Sequence, residues 1–230
     1  MVLDRPALAA GARGAAPVLL GIVPFGVITG VAMVASGIPP LEAMAMSVIV
    51  FAGASMMACA QLLSQGTPAL LIVLATLFIN LRFMMYSASL RLHLAHLPLG
   101  WRLLVAYLQA DNVYGLTLSH FSDRNLSLSE KLGYFLGAGV PIWLAWQAAV
   151  LGGVVIGAGV PASWRLEFAG PLAFIAMTIP LLRDRAMVAA ALAAGLVVIA
   201  TAALPLRLNV MIAAVVGIAV GLILERKRTV

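Results

Sequence analysis

Apolar runs of spanning length, separated by short polar breaks, dominate the chain from Ala15 onward. A membrane-crossing helix needs about 20 apolar residues. Eight segments are candidates: Ala15–Ser36, Leu41–Leu63, Pro68–Leu90, Leu99–His120, Leu132–Ile156, Phe168–Leu182, Ala186–Leu204 and Leu208–Leu224. The sixth is short and the fourth the most polar, so the pattern predicts seven to eight transmembrane helices, with eight preferred. Connections such as Gly37-Ile38-Pro39-Pro40 and Ser64-Gln65-Gly66-Thr67 are short and imply antiparallel neighbours. The one clear hydrophilic loop runs from Ser122 to Lys131.

Composition fixes the class. Of 230 residues, 63% are hydrophobic and 10% charged, with a mean hydropathy of +1.10. Soluble domains carry about 25% charged residues, so the chain reads as an all-α integral membrane protein with one transmembrane domain over residues 1–230. The net charge of +6 comes mainly from arginines at segment ends. No basic patch alternates with aromatics, so nucleic-acid binding is not expected. With eight spans, nine Lys/Arg (Arg5, Arg13, Arg124, Lys131, Arg183, Arg185, Arg226, Lys227 and Arg228) fall on one side. Arg91, Arg102, Arg165 and Arg207 fall on the other, and this excess puts both termini in the cytoplasm.

A faint repeat relates Pro17…Gly37-Ile38-Pro39…Phe51-Ala52-Gly53 to Pro141…Gly159-Val160-Pro161…Phe168-Ala169-Gly170. It suggests two halves, about residues 14–90 and 132–204, each with a proline-broken helix near a midplane site. Pro24, Pro141, Pro171 and Pro180 fall inside or at the edges of spans. Gly-x-x-x-Gly at Gly26/Gly30, Gly133/Gly137, Gly153/Gly157 and Gly217/Gly221 reads as helix-packing faces.

No enzyme motif is present. Phosphate-binding Gly-Lys-Ser/Thr, His-Glu-x-x-His and Gly-x-Ser-x-Gly are all absent, so neither catalysis nor a cofactor is expected. Cys59 is alone, and His93 and His96 lack an acidic or thiol neighbour, so they read as interfacial residues and not as metal ligands.

The few polar residues inside spans carry the functional reading. A charge at the bilayer centre costs about 2.5–3.5 kcal/mol on insertion scales, so it must face protein and pair. Arg82 in the third span and Asp111 in the fourth are available to each other. At helical spacing Arg82, Tyr86 and Ser89 share one face and Asn80 and Ser87 another, while Tyr107, Asp111 and Tyr114 form one stripe. An amino-acid substrate fits such a pair, with its carboxylate on Arg82 or on bare helix-N-terminal amides and its ammonium on Asp111. Asn80, Gln61, Ser55 and Tyr86 are the expected polar lining, and Pro24 with Gly26 the expected helix break. Met56, Met57, Phe83, Met84 and Met85 are candidates for an apolar pocket. Asp111, the lone deep acid, is the candidate proton carrier. The alternative is a non-transporting scaffold in which Arg82 and Asp111 merely lock two helices together.

These stretches resemble the AzlC family of branched-chain amino acid permeases. The carriers are Pro24-Phe25-Gly26, Phe51-Ala52-Gly53-Ala54-Ser55…Gln61, Asn80-Leu81-Arg82…Tyr86-Ser87, Asp111-Asn112 and Pro180…Arg183-Asp184-Arg185. Asn112 stands where the family usually has an acid. The resemblance implies an exporter of branched-chain or similar hydrophobic amino acids in the cytoplasmic membrane of a prokaryote, surrounded by membrane lipid. It also implies a small AzlD-like helical membrane subunit as partner.

Overall fold

A computed structural model describes residues 3–122, 126–159, 184–201 and 208–226. The described residues form nine helices: α1 Arg5–Ala35, α2 Pro40–Val50, α3 Gly53–Ser64, α4 Ala69–Leu94, α5 Leu99–Leu108, α6 Asp111–Ser122, α7 Leu128–Gly159, α8 Arg185–Ala200 and α9 Leu208–Arg226. They fall in two units, Met1–Ala173 and Phe174–Val230. In the second unit α8 and α9 pack on each other, with Gly217 and Gly221 against Ala194 and Ala190. The expected sixth span, with Pro171 and Pro180, and the second-half repeat strings beyond Gly159 lie outside the described residues.

Among the described residues three helices, α1, α4 and α7, are long and apolar enough to cross a membrane. The spine of the first unit is α1 against α7. Residues 4–11, at the start of α1, meet residues 133–138 of α7, and residues 26–34 meet 146–157, so the two helices run parallel. Glycines let the backbones touch. A Cβ at Gly11 would collide with the Tyr134 carbonyl, and one at Gly137 with the Leu8 carbonyl. Further along, Gly30 meets the Val150 carbonyl and Gly153 the Val27 carbonyl. All four Gly-x-x-x-Gly pairs are therefore packing faces, as small-residue surfaces in membranes are.

Proline does not break these helices. Pro17 and Pro24 lie inside an unbroken α1, and Pro141 inside an unbroken α7. Pro24 is exposed, while Gly26 is buried against Ala149, with its Cβ position 2.7 Å from the Ala149 methyl. The expected break at Pro24–Gly26 is thus a packing contact, because one lost i→i−4 bond is tolerated in a helix held by a close partner.

The breaks fall elsewhere. The expected second span divides into α2 and α3 at Phe51, which adopts a left-handed conformation (φ 42°, ψ 44°), and Ala52, which is extended. The expected fourth span divides into α5 and α6 at Gln109 and Ala110, with Gln109 extended. Neither broken pair runs from one end of the unit to the other. The C-terminal end of α1 lies beside that of α7, since Gly157 meets Val31 and Val34. Helix α2 starts there and reaches mid-α7, where Ser47 bonds Gln147. Helix α3 then runs antiparallel to α4, with Ser55 bonded to Asn80 and a four-residue connection between them. Because the C-terminal end of α4 approaches the start of α7 through His93, Phe121 and Lys131, α4 opposes α7. So α3 returns to the end from which α2 came.

The α5–α6 pair mirrors this from the opposite end. Gln109 returns to Phe83 and Ser87. Along α6, Asp111, Tyr114 and Phe121 then follow Tyr86, Ser89 and His93 of α4 in the same direction. Two helical hairpins therefore enter from opposite ends and meet halfway. At that meeting Tyr107 lies against Phe51, ring centroids 6.2 Å apart.

Both connections at the α2–α3 end follow one recipe. Gly37 (φ 84°) and Gly66 (φ 67°) take left-handed conformations. Ile38 N–H donates to the Met33 carbonyl at 3.1 Å, and Thr67 N–H to the Leu62 carbonyl at 3.1 Å. These are Schellman caps, each followed at once by proline, which stops the helix. Arg91 and Arg102, expected opposite the N-terminus, instead lie at the same end as Arg5, Arg13 and Lys131, because α5–α6 returns where it entered.

Candidate functional site

The site lies where the hairpins end. Arg82 is halfway along α4, about 20 Å from either end at 1.5 Å per residue. Its guanidinium is 3.2 Å from the Asp111 carboxylate, with side-chain exposures of 28% and 48%. The other Asp111 oxygen accepts from the Tyr86 hydroxyl at 2.9 Å. Tyr86 stacks on Tyr114, ring centroids 4.2 Å apart, and the Tyr114 hydroxyl donates to Ser89 at 3.2 Å. Asp111 opens α6, where the positive end of the helix dipole favours a carboxylate. Arg82 Nε is buried without a hydrogen-bond partner among the described residues.

The two expected faces of α4 are both used, each by a different hairpin. Arg82, Tyr86 and Ser89 face α6. Asn80 faces α3, accepting from the fully buried Ser55 hydroxyl at 2.5 Å. The Gln109 amide, buried at the α5 end, donates to the Phe83 carbonyl at 3.0 Å and to Ser87 at 3.3 Å.

The broken ends are treated unequally. In an unbroken α2–α3 helix the Ser47 and Val48 carbonyls would meet the N–H groups of Phe51 and Ala52. Here the Gln147 amide donates to the Ser47 carbonyl at 3.2 Å and the Tyr107 hydroxyl to the Val48 carbonyl at 2.8 Å. Trp143 Nε1 donates to the same Tyr107 oxygen at 2.9 Å. The Ser47 hydroxyl donates to Gln147 and accepts from Trp146 Nε1 at 3.1 Å. An unmet carbonyl at membrane depth costs several kcal/mol, so these side chains make the break affordable. The start of α3, by contrast, has no side-chain cap, and its first amides find no side-chain partner among the described residues.

Several expected residues stand elsewhere. Gln61 is exposed on α3, about 9 Å along the axis from Ser55. Met56 and Met57 are fully buried core, whereas Met84 and Met85 are 68% and 62% exposed, so they do not line one pocket. The break at Gln109 dissolves the expected Tyr107–Asp111–Tyr114 stripe. Tyr107 turns to α2 and α7, while Asp111 and Tyr114 face α4. Sequence reasoning missed Ser47, Tyr107, Trp143, Trp146 and Gln147 as supports of the break. The only signal was a lone glutamine in the apolar run of α7.

A pairing of deep charges with helix ends at mid-depth defines an all-helical polytopic membrane protein. Helix α4 leaves Leu70, Phe78 and Met84 about 70% exposed, an apolar surface suited to lipid. Residues 17–160 match the family model described as AzlC protein, and the chain belongs to that family. It is 24% identical over 150 residues to the inner membrane protein YgaZ of Escherichia coli (strain K12), a match covering 65% of this chain and 60% of that protein. It is 27% identical over 192 residues, 80% of each chain, to an uncharacterized membrane protein of Archaeoglobus fulgidus. The match thus spans about 60% of the length of the Escherichia coli relative. No solved structure matches.

Proposed function

We propose that the protein is a secondary transporter, not an enzyme, that moves branched-chain or similar hydrophobic amino acids across the cytoplasmic membrane. The observation that carries this reading is the Arg82–Asp111 pair, half-exposed at mid-depth where two helical hairpins end. A zwitterion replaces both halves of such a pair at once. Its carboxylate goes to Arg82 and its ammonium to Asp111 and the Tyr86 oxygen. Protonation of Asp111 would release Arg82, which supplies a route to proton coupling. Export, proton coupling and a small AzlD-like helical partner extend the family resemblance.

The arginine-bearing end is the cytoplasmic one in this reading. Arg5, Arg13, Arg91, Arg102 and Lys131 gather there, whereas the connections 36–39 and 65–68 at the other end carry no charge. That bias is the positive-inside rule applied to two hairpins that do not cross. The N-terminus is then cytoplasmic.

The scaffold reading is favoured by one observation, that both Asp111 oxygens are already satisfied by Arg82 and Tyr86. The two readings separate on flux. Full-length protein in vesicles, with and without a partner subunit, is loaded with labelled leucine or methionine under an imposed pH gradient. Transport predicts loss of flux in Arg82→Ala and Asp111→Asn and partial retention in Arg82→Lys. Near-normal flux in all three would reduce the pair to a brace.

A further inference from the structure

A cavity of about 240 Å³ opens between α4 and α5, away from the Arg82–Asp111 contact and toward the arginine-bearing end. Its walls are Leu90, Leu94 and Val105, all buried. Arg91 and Arg102 line it as well, one from each helix, and both are exposed. Among the described residues neither arginine has a carboxylate within ion-pair distance. The floor is polar, formed by Ser87 and the buried Gln109. Gln109 ends α5, two residues before Asp111.

Two cations with no carboxylate at ion-pair distance among the described residues, set beside an apolar cleft, are complementary to a particular kind of molecule. An anionic group wants the guanidinium fork, and a short branched or linear apolar body wants the leucine and valine walls. The volume is below that of a drug-sized pocket, which limits the apolar part to a few carbons of a solute or the first segment of a lipid chain. We propose that this cavity binds the anionic head of a small amphiphile, a carboxylate or a phosphate joined to an apolar body. Two sources share that chemistry: a hydrophobic amino acid arriving from the arginine-bearing side, or an anionic phospholipid of the same leaflet. The solute source rests on the transport reading above, with the cavity as the waiting position before Arg82. The lipid source does not.

The test labels the cavity from within. Full-length protein carrying Cys59→Ala and Ala106→Cys is reconstituted in phosphatidylcholine vesicles. The rates of thiol modification by an anionic and a cationic thiosulfonate are then compared. The anionic reagent is expected to react faster by on the order of tenfold, a preference that collapses in Arg91→Gln/Arg102→Gln. Arg102→Gln alone serves where the double variant fails to insert. Slowing by leucine or 4-methylpentanoate assigns the solute source; slowing only when phosphatidylglycerol is added assigns the lipid. Equal rates for the two reagents, or protection by none of the three ligands, overturns the proposal. Leucine flux in vesicles of the Ala106-bearing protein reports separately on transport, so loss of that reading and loss of this one are distinguishable.

Discussion

The Tyr107 hydroxyl donates to the Val48 carbonyl at 2.8 Å, joining the tips of two hairpins that enter from opposite ends of the helical unit. One hydroxyl thereby closes a carbonyl that the break in α2–α3 exposes, and it brings the Asp111-bearing hairpin to the depth of Arg82. Tyr107→Phe removes that donor and also strands Trp143 Nε1. A lost partner for a sequestered polar group costs about 1–3 kcal/mol; Tyr107 is 39% exposed, which places it near the low end. Thermal unfolding in detergent should show Tyr107→Phe and Gln147→Leu both destabilised by about 1–2 kcal/mol. Unchanged melting would mean that water satisfies the Ser47 and Val48 carbonyls.

Sidedness follows from the hairpins. In a Cys59→Ala background, cysteines at Ser36 and Thr67 should label from one side of the membrane, and cysteines at His96 and Ser127 from the other. Eight full crossings would instead pair Ser36 with His96 and Thr67 with Ser127. An impermeant maleimide applied to oriented vesicles distinguishes the two patterns directly.

The α1–α7 spine predicts a sharp contrast between adjacent glycines. A Cβ at Gly153 collides with the Val27 carbonyl, whereas one at Gly152 meets nothing within 4 Å. Gly153→Ala should therefore lose about 1–3 kcal/mol by forcing the helices apart. Gly152→Ala should be neutral or slightly stabilising, since alanine is the better helix former. Equal melting temperatures for the two variants would place the spine contact elsewhere.

Tyr86 separates positioning from packing. Tyr86→Phe keeps the ring against Tyr114 but leaves one Asp111 oxygen without its 2.9 Å donor. The expected outcome is leucine flux reduced by about tenfold, the worth of one hydrogen bond to a charged group, with melting shifted little. A change in melting with flux preserved would make Tyr86 a structural strut.

Deep charge and small-residue spacing were legible in the sequence because each has one cheap solution in lipid. Arg82 needs a carboxylate, Asp111 is the one deep candidate, and the pair forms. The Gly-x-x-x-Gly spacings likewise lie on touching backbones. The breaks were not legible. Phe51-Ala52 sits inside a uniformly apolar run, and a left-handed phenylalanine carries none of the glycine signal that usually marks such a conformation. Gln109 and Asp111 were visible as polarity, but polarity alone does not tell a helix end from a polar stripe. Prolines pointed the wrong way, since Pro17, Pro24 and Pro141 all sit in unbroken helices. The end assigned to Arg91 and Arg102 suffered from the same gap. A hydropathy window counts Leu41–Leu63 and Leu99–His120 as crossings, and only the hairpin geometry returns Arg91 and Arg102 to the N-terminal end.

Arg82 and Asp111 meet a solute in this reading and do not merely hold α4 to α6. Exchanging them, Arg82→Asp with Asp111→Arg, keeps the ion pair but puts a cation at the positive end of α6 and reverses the order of charges a zwitterion meets. Leucine flux in vesicles, measured on protein shown to be inserted and folded by its melting transition, decides the matter. The exchange variant should fold and carry no leucine flux; restored flux would overturn the solute role and make the pair a brace.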